Sequence, residues 1–190
     1  MEVTLRTGDW QEVLRVLGDP RASALPADAG SESEEPHDDA EDDDADPLAD
    51  ALARDPILWV RSGIYNGAFG DVFLACEGKL RETDFYRLGR FIASFCLIVG
   101  DDGKRFPVPQ DADFGVMEWY SVMSPETLRE LVALPEHIDR RALRAAVREV
   151  LTSGKASFDS VAAFFDYLDL WTRAYRLAAA EGRCAAVHTG

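Results

Sequence analysis

Three short stretches of this 190-residue chain hold residue types suited to chemistry. A glycine-rich turn, "YNGAFGDVFLA", would let backbone N–H groups cradle phosphate oxygens. An "ADFG" tetrad at 112–115 offers a carboxylate to a divalent cation, and "SPE" follows at 124–126. These are pieces of phosphoryl transfer, but the rest of that machinery is missing. Tyr65 stands where the first loop glycine belongs, no lysine follows on a strand to reach phosphates, and no His-Arg-Asp loop supplies a base. The 42 residues between Gly70 and Asp113 are too few to build two lobes. The three histidines, His37 in an acidic run, His137 beside a proline and His188, read as solvated surface residues. Asp42, Asp43, Asp44 and Asp46 lack the glycine and terminal glutamate of a calcium loop. Cys76, Cys96 and Cys184 show no paired or metal-like spacing. Cys76 and Cys96 fall in apolar helical patterns, where a free thiol behaves as a small hydrophobe. The expectation is a protein that is not an enzyme and uses neither metal nor cofactor.

Charge narrows the partners. Of the net charge of −15, ten units come from residues 32–46, "ESEEPHDDAEDDDAD", which contain no basic side chain, leaving −5 for the remainder. A general basic field for nucleic acid is therefore absent. The cysteine usage fits a reducing, cytoplasmic compartment. Charged residues among the first twenty argue against a secretory signal, and no run of about 18 apolar residues provides a transmembrane anchor.

The elements that would position any site read as helices. Trp10, Val13, Leu14 and Leu17 fall on one face, with Asp9 as N-cap and Glu12 three residues on. This gives a first helix within 1–19. Residues 20–46 carry almost nothing to bury and read as a disordered acidic loop. A bundle body spans 47–182 and forms one domain with 1–19. In it "ILWV" (57–60) admits either helix or strand, and Phe69, Val72, Phe73 and Cys76 share a helical face. Phe85, Leu88, Phe91, Ile92, Phe95, Cys96 and Val99 form a stripe whose off-face residues are also apolar, which points to a buried central helix over 85–99. A short helix is expected through Phe114, Met117, Tyr120 and Met123. Further helices follow from Ser124-Pro125, over 139–154 and over 157–181. Residues 183–190 read as a flexible tail. The expected fold class is all-α, with seven or eight helices around the central one.

"RLGRFIASF" (87–95) resembles the first homology region of the Bcl-2 family, Asn-Trp-Gly-Arg followed by an apolar run. Gly89 and Arg90 match in place, while Arg87 and Leu88 replace the Asn and Trp. The order of a first helix, an acidic loop and a bundle is similar to that family's. The resemblance covers roughly residues 1–125. It implies a Bcl-2-like fold and a groove that receives an amphipathic helix. In that groove Arg90 would be the charge anchor, Gly89 the contact floor, and Leu88, Phe69, Val72 and Phe73 the walls. The plainer reading has Arg90 snorkelling from a core helix and Gly89 easing helix packing.

The function that follows is a non-enzymatic protein-binding module. The resemblance implies a divergent, poxvirus-type viral protein acting in the host cytoplasm on apoptosis or NF-κB signalling. The alternative is a bacterial acidic binding protein, a toxin-immunity protein or a DNA mimic, whose 32–46 tract would imitate phosphate charge.

Overall fold

The computed structural model describes residues 3–16, 18, 58–60, 63–96 and 120–189. In chain order these form β1 (Val3–Gly8), α1 (Trp10–Val16), β2 (Leu58–Val60), α2 (Gly63–Leu74), α3 (Glu82–Ile92) and β3 (Tyr120–Met123). Then come α4 (Pro125–Glu136), α5 (Arg140–Thr152), α6 (Val161–Ala180) and β4 (Cys184–Thr189). Most of the described chain is helical, as expected, but the fold is α+β and not all-α. Six helices, not seven or eight, accompany a four-stranded antiparallel sheet of order β2-β1-β4-β3 among the described residues. Such a sheet has no counterpart in an all-helical, Bcl-2-like bundle.

The sheet is a middle layer. Val3, Leu5, Met123, Ala185 and Val187 join the large core built with α2 to α6. Their alternates Val122, Cys184 and Ala186 meet Val13 and Trp10 of α1 on the other face. This is the two-residue period of a strand, with both faces covered. Three expectations change accordingly. The supposed tail is β4, whose residues 184–187 are buried. The first helix is preceded by β1, and residues 120–123 form β3 where a helix was expected. In each case the deciding contacts are distant in sequence: Gly8 pairs with Cys184, and Val122 with Ala186. The acidic segment 20–46 lies outside the described residues.

The central helix is α6, not the 85–99 segment. Phe164, Leu168, Trp171, Tyr175 and Ala178 bury one continuous stripe of α6. Phe69 stacks on Phe164 with centroids 4.3 Å apart, and Phe95 stacks on Trp171 at 4.3 Å. By contrast α3 is amphipathic, burying Leu88, Phe91 and Ile92 while Glu82, Thr83 and Tyr86 are exposed. It stops at Ile92. Ser94 donates its hydroxyl to the Phe91 carbonyl (2.6 Å) and lies 3.0 Å from the Tyr175 hydroxyl. A side chain that bonds the local backbone in this way competes with continuation of the helix. Residues 97–100 lie outside the described residues.

Local chemistry sets the other boundaries. Asp9 accepts from the Glu12 N–H (2.9 Å) and Ser124 from the Thr127 N–H (3.1 Å), with Pro125 in the first turn of α4. Gly182, at φ 66°, ends α6. The Arg183 N–H returns to the Ala178 carbonyl (2.9 Å) and the Gly182 N–H to Ala179 (3.2 Å), a Schellman closure that turns the chain into β4.

Candidate functional site

The six residues of the expected groove do not share one surface. Phe69, Val72, Phe73 and Leu88 are fully buried, and Gly89 is buried with them. Phe69 sits among Phe95, Phe158, Phe164 and Tyr167, and Phe73 stacks on Phe85 at 4.5 Å. A partner would reach these side chains only if the elements packed around them parted. Arg90 alone faces outward, 39 % exposed, with its guanidinium 3.5 Å from Glu130 of α4. It ties α3 to α4 across the surface.

Elsewhere the described residues hold little reactive chemistry. The three cysteines are free and buried. Burial pushes the Cys76 and Cys184 thiols up to about 11 and that of Cys96 to about 12, so none supplies a thiolate near neutral pH. Cys96 also fills space left by Gly70, where an added Cβ would lie 3.2 Å from its sulfur. Burial raises Tyr167 to about 12, and the fully buried Tyr175 titrates higher still. No group of three or more His, Cys, Asp or Glu among the described residues is arranged to hold a metal ion. The buried carboxylate of Asp84 receives Arg81 at 2.8 Å and faces Arg87 at 3.6 Å, and these pairs hold the first turn of α3.

Among the described residues, one surface feature with a defined shape is a cleft of about 460 Å³ where α4, the start of α5 and the middle of α6 converge. Pro135 and Ile138 form its apolar floor, and Thr172 turns its hydroxyl into the helix to bond the Leu168 carbonyl at 2.8 Å. Three guanidinium groups stand around it. Arg140 clamps Asp169 through two bonds of 2.9 Å each, and Arg176 meets Glu136 at 2.6 Å. Arg173 is exposed and makes no ion pair among the described residues. Both carboxylates are themselves about half exposed, so their pairs are solvent-screened and each contributes at most about 1 kcal/mol. Such pairs can exchange one carboxylate for another.

Beside the cleft, Arg140 and Arg144 cover the face of Phe165, their guanidinium carbons 5.1 and 4.3 Å from the ring centroid. Asp139 caps α5 by accepting from the N–H groups of Arg141 (2.9 Å) and Ala142 (3.0 Å). Those bonds, that from Ala142 first, hold its carboxyl below the ordinary aspartate value. None of the cleft residues stood out from the sequence. A signal existed for Arg140, one of four arginines among the first nine residues of α5.

No family model matches this chain, and neither a curated protein nor a solved structure matches it. Among the described residues no helix is long and apolar enough to cross a membrane.

Proposed function

We propose that this protein is a non-enzymatic protein-binding module that grips a partner chain in the cleft between α4, α5 and α6. The observation that carries this reading is Arg173, an exposed guanidinium with no carboxylate partner among the described residues, set in a concavity with an apolar floor. Arginine beside a small apolar depression is the chemistry of interface hot spots. The walls Glu136, Arg140, Arg173 and Arg176 are too exposed for the cleft to enclose a small molecule, which needs most of its surface covered.

A photo-crosslinking residue at Leu177, 46 % exposed one position after Arg176, tests this against the same residue at Tyr86, 53 % exposed on α3. The expected result is a discrete protein adduct from Leu177 that disappears with Arg173→Glu. An adduct that survives that change, or none at all, overturns the reading. Adducts from Tyr86 alone would favour instead a helix-binding, Bcl-2-like surface beside Arg90, and with it viral modulation of apoptosis or NF-κB signalling.

One observation favours a second reading. Residues 32–46 hold ten carboxylates without a basic residue, which suits a basic partner of the toxin-immunity or DNA-mimic kind. In that case capture would survive Arg173→Glu and be lost on neutralising the tract.

A further inference from the structure

Helix α5 places its charges against the usual preference. Its first nine residues contain Arg140, Arg141, Arg144 and Arg148, and its first turn has no acid. The positive end of a helix dipole disfavours cations there. At about 100° per residue all four fall within an arc of about 100°, next to the buried stripe of Leu143, Ala146, Val147 and Val150. Glu149 lies off that arc and is held by Lys79. Arg144 and Arg148 make no ion pair among the described residues, and Arg141 has the N-cap carboxylate of Asp139 beside it. In a chain of net charge −15 this is a concentrated basic strip.

The strip is also organised in advance. The guanidinium carbons of Arg140 and Arg144 are held 5.1 and 4.3 Å from the Phe165 ring centroid, and Arg140 can exchange the solvent-screened Asp169 for a partner's carboxylate. Groups already held in place lose little freedom when they bind. Arg140 belongs to both the strip and the cleft, so the two form one continuous surface.

We infer that the partner presents a short acidic segment that lies extended along α5, with carboxylates at alternate positions meeting Arg140, Arg144 and Arg148. This rests on the protein-binding reading and specifies the partner. The register is geometric. Residues four apart on a helix rise about 6 Å, and residues two apart on an extended strand advance about 6.6 Å, so the two repeats run nearly in step. A nucleic acid fits less well. The net charge of −15 opposes a long polyanion, and the strip's aromatic ring, Phe165, is 3 % exposed beneath two guanidinium groups, leaving no face for base stacking.

The test is fluorescence anisotropy on the full chain with a labelled peptide carrying aspartates at alternate positions between threonines. A peptide of the same composition with contiguous aspartates and a single-stranded RNA of equal charge serve as rivals. Saturable binding of the alternating peptide is expected, at least about threefold tighter than the contiguous one and weakening with salt. Arg144→Glu with Arg148→Glu should weaken it at least about tenfold, while Arg129→Glu on α4 changes it less than about twofold. If the double reversal lowers the melting temperature, Arg144→Gln with Arg148→Gln replaces it, with about a threefold loss expected. Absence of saturable binding, equal binding by the strip variant, or tighter binding of the RNA overturns the inference. Crosslinking at Leu177 distinguishes the two failures: an Arg173-dependent adduct with no peptide binding leaves the module standing and removes only the acidic segment.

Discussion

Arg90 and Phe69 were expected on one groove, yet their environments are opposite, and substitution will separate them. Phe69 is fully enclosed by aromatic rings from three parts of the chain. Phe69→Ala should lower stability by about 3–5 kcal/mol, through lost transfer energy and the cavity left behind. Arg90 holds a half-exposed pair at 3.5 Å with a carboxylate that is 70 % exposed. Arg90→Ala should therefore cost under about 1 kcal/mol. Denaturant melts of the two variants check the contrast, and similar losses would contradict the packing described here. The sequence carried the apolar character of Phe69, Val72, Phe73 and Leu88 plainly. Apolar character does not tell a groove wall from a core residue, because both want the same side chains. What decides is what lies on top: Phe164 and Tyr167 of α6 for Phe69, and Phe85 of α3 for Phe73.

At the scale of elements, signals within a few residues were legible and pairings across the chain were not. Asp9, and Ser124 with Pro125, could be read because a cap acts on N–H groups in its own turn. Strand β4, "CAAVHT", has weak strand formers and owes its conformation to β1 and β3 on its flanks. Helix α5 provides a pH test of a local signal. The Asp139 carboxyl is lowered first by the Ala142 N–H and then by that of Arg141. A lowered folded-state value stabilises the protein above the ordinary aspartate value of 3.8, and that stability is lost as pH falls through the lower folded value. Asp139→Ala should accordingly melt below wild type near neutral pH. The gap should close in acid well below pH 3.8, as followed by circular dichroism. A gap of constant size would show that the charged cap is not what Asp139 contributes.

For the molecule as a whole, the core depends on β4. Among the described residues it is, with β1, one of the two strands paired on both sides, and it contributes to both faces of the sheet. Truncation after Arg183 removes Ala185 and Val187 from the large core and Cys184 and Ala186 from the layer against α1. The shortened chain should keep helical circular dichroism yet lose its cooperative thermal transition, whereas the full chain should melt in one step. A sharp melt in the truncated chain would mean that the helices hold together without the sheet.

The pairing of Gly8 with Cys184 also sets an order in time. A ribosome adding about 5–20 residues per second emits β1 on the order of ten seconds before β4 exists. Helices α4 to α6 can dock meanwhile, but the side of β1 away from β2 stays bare, open to the wrong neighbour. Elongation rate and access to a holding chaperone therefore become determinants of soluble yield.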